Sequence, residues 1–318
     1  MSKSLIIEKP VIIIGCPRSG TSLLFRILSS SPYLWSLYRE SNDIWNAYFK
    51  LSGKKFNNEV LNEDDLNNEL KAFLINQFHL NTLNHYYLGY IVREYLLKNK
   101  PLNFSVDIIK KINIAYKNIF LSNYRIVEKT PKNCFRIPFI NKLFNDCYFV
   151  FLKRDGRSNI NSLMEGWKAE GKYVRGQAIN ISLNIKGYSE NNGKRWKYVL
   201  PPGWENYTNK ALEEVCAFQW VSSNATALDG LKKIPDDRKI TVSYEDLISN
   251  TSEIIKDICY FVDIPFDGEV RKLSYRPPLV NYVTKPHKDK WKKNIDLIQN
   301  TFPIIEPMMK ELGYSLSG

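Results

Sequence analysis

The sequence predicts an α/β fold with a central parallel sheet flanked by helices, and three observations carry that expectation. Short β-branched and aromatic runs at 11–14, 147–152 and 239–244 are separated by stretches with helical apolar spacing. Strands that alternate with helices pair in parallel, because each crossover returns the chain to the same end of the sheet. The first run breaks into a glycine-bounded loop and then a helix, an arrangement that holds phosphate-like anions. A chain of 318 residues can bury roughly 75% of its unfolded surface, and one elaborated domain over residues 1–318 accounts for it.

The elements follow in order. Val11–Ile14 is a β-branched run suited to a buried parallel strand. Gly15 and Gly20 bound a tight turn whose N–H groups point inward, and the helix behind it adds the partial positive charge of its N-terminus. Against the template G-x-x-x-x-G-K-[ST], Gly15, Gly20 and Ser22 match, but Thr21 stands where the lysine belongs. The cation has moved into the loop as Arg18. Pro17, Arg18, Ser19, Gly20, Thr21 and Ser22 are therefore the expected anion cradle of a P-loop NTPase-like three-layer fold. A nucleotide-hydrolysing enzyme would be poor without that lysine.

The first helix ends near Ser31-Pro32, and a second short strand is expected at Leu34–Leu37. Residues 56–122 read as a helical substrate-side insertion, with apolar spacing over 66–78, 86–97 and 106–120 and a break at Lys100-Pro101. Its aromatics Phe73, Phe78, Tyr86, Tyr87 and Tyr90 either line an acceptor cavity or fill a core. Residues 124–167 restore strand, loop and helix. The stretch 168–207 is rich in Gly, Lys and Asn, with a turn at Pro201-Pro202-Gly203-Trp204, and is expected to act as a lid or acceptor-binding loop. Helices over 209–231 and 252–263, with the strand 239–244 between them, complete the order.

The segment Gly15-Cys16-Pro17-Arg18-Ser19-Gly20-Thr21-Ser22 resembles the 5′-phosphosulfate loop of sulfotransferases that use PAPS (3′-phosphoadenosine 5′-phosphosulfate). In residues 147–167 a strand runs into a basic turn and a helix, with Arg154 at the strand end and Ser162 eight residues on. That spacing is similar to the family's 3′-phosphate motif, in which a guanidinium fork and a hydroxyl converge on one phosphate. Gly156 departs from the proline often found two residues after that arginine. Lys129-Thr130-Pro131 resembles the Lys-Thr-His turn of the cytosolic members, with Pro131 where their histidine base stands.

The resemblance therefore implies a different base. Tyrosylprotein and glycosaminoglycan sulfotransferases use a glutamate shortly after the first helix, and Glu40 occupies that place, with Asp43 and Glu128 as alternatives. A carboxylate in a desolvated, anion-rich site can have its pKa raised toward the working pH. Arg18 and Lys129 are the cations assigned to the charge that develops on transfer, Lys129 by its match to the Lys-Thr turn. Residues 239–247 resemble the family's segment near the adenine pocket, which brings Tyr244 to the cofactor. Residues 280–294 resemble the basic loop that closes over the 3′-phosphate, with Lys285 best matched beside Lys288 and Lys290. The implied reaction is sulfuryl transfer from PAPS to a hydroxyl-type acceptor, releasing 3′,5′-ADP, with no metal required.

A net charge of +12, from 45 basic and 33 acidic residues, suggests an anionic ligand. PAPS accounts for a local basic site, and part of the excess is expected on helix surfaces such as 110–117. No nucleic-acid partner is expected. The acceptor stays open among small molecules, lipids, saccharides and peptide tyrosines. The first ten residues lack a signal peptide's apolar core, and no apolar run approaches ~18 residues. Five cysteines fit a reducing compartment, so a cytoplasmic setting is expected; Cys16, inside the loop, is a candidate for oxidation. The three histidines are scattered and the cysteines form no C-x-x-C, which leaves no metal site in view. Two rivals remain. A phosphate-loop kinase-like phosphotransferase would need a lysine at Thr21 and an acidic strand end where this chain has Lys153-Arg154. A non-catalytic polyanion-binding protein would show a steep salt dependence and no preference for a 3′-phosphate.

Overall fold

The structure, a computed structural model, describes residues 6–37, 39–84, 106–169, 182–189, 195–280, 283 and 289–316. Among them seven strands, β1 (Ile6–Ile7), β2 (Val11–Ile14), β3 (Leu34–Leu37), β4 (Thr82–Leu83), β5 (Asn123–Lys129), β6 (Tyr148–Lys153) and β7 (Lys239–Ser243), form one sheet. Its order is β4-β3-β5-β2-β6-β7, with β1 beside β5. Every pairing is parallel except that of β3 with the edge strand β4. The chain leaves β2 toward β3, inserts β5 between them, and then continues on the other side through β6 and β7. That reversal opens a crevice at the carboxyl ends of the central strands, where open α/β sheets bind ligands.

Twelve helices surround the sheet among the described residues: α1 (Thr21–Leu28), α2 (Asn42–Ser52), α3 (Asn68–Asn81), α4 (Val106–Phe120), α5 (Ile137–Leu143), α6 (Gly156–Lys168), α7 (Leu212–Lys232), α8 (Tyr244–Ser249), α9 (Thr251–Phe261), α10 (Gly268–Tyr275), α11 (Ile295–Gln299) and α12 (Phe302–Glu311). The strand period of two decides which layer each apolar side chain enters. Val11, Ile13, Val127, Val150 and Leu152 pack with Leu24 and Ile27 of α1 and Ile255 and Ile258 of α9. Ile12, Ile14, Ile126, Phe149 and Phe151 face the other way, onto Trp45 of α2, Leu163 of α6 and Trp220 of α7. The result is the three-layer α/β fold that the strand–helix alternation predicts. Among the described residues no helix is long and apolar enough to cross a membrane.

Three local features differ from the sequence reading or refine it. The insertion is not wholly helical, since β4 closes the sheet edge right after α3; α4 matches 106–120, and the expected helix at 86–97, with Tyr86, Tyr87 and Tyr90, lies outside the described residues. Phe78 is buried in the core. Within 168–207, several of the described residues join the core. Trp167, Tyr188, Trp196 and Trp204 are buried and stack edge to face, with Trp196 5.4 Å from both Trp167 and Trp204.

Lys117 is the third. It was expected on a helix surface, yet it is fully buried. Its ammonium donates to the carbonyls of His79 (2.5 Å) and Thr82 (2.7 Å) and lies over the rings of Trp35 and Tyr124. The carbonyls at the end of α3 carry the partial negative charge that makes such a cation tolerable there. Burial nevertheless pushes its pKa from 10.5 down to about 7. Between those values the unfolded chain binds a proton that the folded chain releases, so this group makes stability rise with pH across that window. Urea unfolding at pH 7 and pH 9.5 is expected to show the wild type gaining on Lys117→Met as pH increases. A pH-independent difference would mean that Lys117 stays charged in the fold.

Candidate active site

The loop after β2 is shaped by its backbone. Arg18 (φ 71°) and Gly20 (φ 101°) both adopt the left-handed conformation. A Cβ on Gly15 would stand 2.6 Å from the Leu152 carbonyl oxygen and 2.8 Å from Ser19 Oγ, and one on Gly20 would strike the Tyr244 ring. Neither position admits a side chain. The Ser19 N–H donates to the Cys16 carbonyl at 3.1 Å. From α6, Asn159 Nδ2 donates to the Pro17 carbonyl at 2.9 Å and braces the loop from behind. Thr21 is buried as the first residue of α1. Cys16 is buried too, and burial pushes its thiol pKa well up. Thiolate is scarce there, so Cys16 is not set up as an oxidation-prone group.

The ends of β6 and β7 meet this loop. Arg154 Nη1 donates to the Arg18 carbonyl at 2.7 Å, and Arg18 Nε donates to Ser162 Oγ at 3.2 Å. The Arg154 guanidinium lies 4.1 Å from the centroid of the Tyr244 ring, the ring that packs on Gly20. Burial pushes the pKa of Arg154 down, but a guanidinium stays protonated at physiological pH. Asp155 caps α6 by accepting from the Arg157 and Ser158 N–H groups, which sets the helix phase that brings Ser162 to Arg18. Gly156, where relatives often have proline, has a packing reason: a Cβ there would lie 3.0 Å from both Met309 and Trp220.

At the neighbouring strand ends, Lys129 sits in register beside Ile13, two residues before Gly15. Its Nζ pairs with Glu40 Oε1 at 2.6 Å. Lys129 is 7% exposed and Glu40 37%, so the lysine end of the pair is buried and the glutamate end is part-exposed. Asn42 Nδ2 donates to the other Glu40 oxygen at 3.2 Å. The alternative carboxylates are placed otherwise. Asp43 is exposed and pairs with Arg39. Glu128 is buried, accepts from Ser41, Thr130 and Asn133, and burial pushes its pKa up.

Lys285 and Lys288 lie outside the described residues. Lys290 forms a 2.5 Å pair with Glu165 of α6, and Arg157 stacks over Trp291, so the C-terminal part of that stretch is tied to the Ser162 helix. Sequence reasoning missed Asn159, Asn42, Ser41, Thr130 and Asn133. One signal was available: Ser41 directly precedes a helical pattern and reads as an N-cap, although its side chain makes no capping bond and turns inward instead. Among the described residues no group of three or more His, Cys, Asp and Glu is placed to hold a metal ion.

A glycine-bounded loop between a buried parallel strand and a helix, with two arginines at adjoining strand ends, defines a phosphate-loop-type α/β protein. The chain belongs to the sulfotransferase family: the model described as "Sulfotransferase family" matches residues 10–198, more than half its length. It is a transferase of the sulfotransferase type. No curated protein sequence matches the chain. Among solved structures it is similar to the sulfotransferase domain from the curacin biosynthetic pathway, at 15% identity over 98% of this chain and 99% of that one (TM-score 0.45). It is also similar to a sulfotransferase from Alicyclobacillus acidocaldarius, at 10% identity over 98% of each chain (TM-score 0.48). A third is a sulfotransferase from Mycobacterium avium, at 14% identity over 98% of this chain and 79% of that one (TM-score 0.48).

Proposed function

We propose that this chain transfers the sulfuryl group of PAPS to a hydroxyl-type acceptor by in-line displacement. The carrying observation is the contact chain Ser162–Arg18–Arg154–Tyr244–Gly20, drawn from three strand ends, with the Glu40–Lys129 pair on the adjoining strand. The residues fit an anionic nucleotide. Ser19 Oγ and Arg154 Nε are buried without a hydrogen-bond partner among the described residues, and each such group costs about 1–3 kcal/mol unless a ligand supplies the bond.

Bound PAPS supplies the sulfuryl group and a 3′,5′-ADP leaving group. Loop N–H groups, Ser19 and Arg18 hold the 5′-phosphosulfate; Arg154 and Ser162 hold the 3′-phosphate, and Tyr244 flanks the nucleoside. Glu40 takes the proton of the acceptor hydroxyl as its oxygen bonds to sulfur. Lys129, beside Glu40, would supply the positive charge for the 3′,5′-ADP oxygen that takes the electron pair of the broken S–O bond. Arg18 and Lys129 act in a poorly solvated site, where fixed charges are worth more than in water. Alcohols, phenols, sugars, lipid head groups and peptide tyrosines all qualify as acceptors. A cytoplasmic setting belongs to the same proposal, supported by five free, buried cysteines.

Calorimetry tests the cofactor class. Tight binding of 3′,5′-ADP, with weak binding of 5′-AMP and Mg-ATP, is expected; preference for Mg-ATP would overturn the reading. In the same assay, Arg154→Ala is expected to lose ~10- to 10²-fold in 3′,5′-ADP affinity, the scale of a charge-assisted hydrogen bond, and with it the preference over 5′-AMP. An unchanged preference would remove Arg154 from the 3′-phosphate.

A further inference from the structure

Glu128 has no part in the chemistry above, yet it is a buried carboxylate bonded through both oxygens beside the Glu40–Lys129 pair. Its Oε1 accepts from Ser41 Oγ at 2.7 Å and Thr130 Oγ1 at 2.5 Å, and its Oε2 accepts from Asn133 Nδ2 at 2.5 Å. The Ser41 N–H donates to Thr130 Oγ1 at 2.9 Å, and Trp45 Nε1 donates to Ser41 Oγ at 2.8 Å. The directions are consistent when each hydroxyl gives its one proton to Glu128 and receives a bond from an N–H; the 2.9 Å contact between the two hydroxyl oxygens then carries no proton. Ser41 directly follows Glu40 and Thr130 directly follows Lys129. One buried carboxylate thus joins the two backbone segments that carry the pair.

We propose that Glu128 is a positioning residue that, through Ser41 and Thr130, fixes the placement of Glu40 against Lys129 without touching substrate. This rests on the reading of Glu40 as base and Lys129 as cation. Placement matters because a misplacement of about 1 Å can cost ~10²-fold in rate. The site also separates positioning from proton transfer. Glutamine at 128 keeps one oxygen for both hydroxyls and turns an N–H₂ toward Asn133. The Asn133 amide can then flip to offer Oδ1, a buried atom now without a partner. Glutamine therefore preserves the link, whereas alanine removes it and a proton acceptor survives neither change.

The test measures 3′,5′-ADP release from PAPS, with water and with p-nitrophenol as acceptor, alongside calorimetry of 3′,5′-ADP. Glu128→Ala is expected to slow release ~10- to 10²-fold with 3′,5′-ADP affinity within about 2-fold, and Glu128→Gln to recover most of that loss. On a Glu40→Gln background, Glu128→Ala is expected to add less than about 3-fold, because the two act through one step. Equal losses in Gln and Ala would make the acid itself reactive and overturn the proposal, as would a full independent effect in the double variant. Should Glu128→Ala fail to fold, Ser41→Ala and Thr130→Val each remove one arm and are held to the same double-variant criterion. Failure of the underlying reading looks different: Glu40→Gln alone would leave release unchanged.

Discussion

Glu40→Gln is expected to lower turnover by ~10²–10⁴-fold while 3′,5′-ADP binds as it does to the wild type. The amide copies the shape of the carboxylate and can still meet Lys129, but it cannot accept the acceptor's proton. Glu40 is the one of the three carboxylates that is part-exposed and paired with a buried cation: Oε1 holds Lys129, and Oε2 is steadied by Asn42. Asp43 faces solvent with the exposed Arg39, and Glu128 is fully enclosed. Steady-state turnover and calorimetry on the same preparation check the result. Near-normal turnover would remove Glu40 as the base.

Lys129→Ala is expected to slow sulfuryl transfer by ~10²–10³-fold, the scale for removing one donor aimed at developing charge, and to weaken nucleotide binding far less. The asymmetry follows from the place of Lys129 in the sheet. It ends β5 beside Ile13, almost enclosed, and in the resting site its charge is spent on Glu40. Binding therefore gains little from it. As the bridging oxygen acquires charge, the ammonium finds a better partner in a medium that screens it poorly. Comparing kcat with the 3′,5′-ADP dissociation constant decides the matter, and a variant that lost affinity but kept kcat would make Lys129 a binding residue.

The parts of this site legible in the sequence are those whose geometry constrains residue type locally. β2 is buried on both faces and so is written in continuous β-branched residues. Gly15 and Gly20 are dictated by a carbonyl and a ring that leave no room for Cβ. The interval from Arg154 to Ser162 is set by a strand end, the Asp155 cap and two turns of α6. What stayed hidden depends on partners far along the chain. Ser41 and Glu128 are 87 residues apart, and nothing local distinguishes a serine that caps a helix from one that turns to a buried acid. Lys117 read as a surface lysine because its cage of carbonyls and rings comes from other elements. β1 and β4 have two residues each, too few for a period to register. The 168–207 stretch was read from its Gly, Lys and Asn content, whereas among its described residues Trp196 and Trp204 are buried against one another and Trp167.

Arg18 carries a consequence of a different kind. An L-residue in the left-handed region costs roughly 1–2 kcal/mol, and Arg18 holds that backbone while its carbonyl meets Arg154 and its guanidinium meets Ser162. Glycine would relieve the tension and discard the cation. Heat tolerance and charge therefore pull position 18 in opposite directions: a lineage selected only for endurance would drift toward glycine there, and its arginine persists only as long as a cation in that loop is worth the strain.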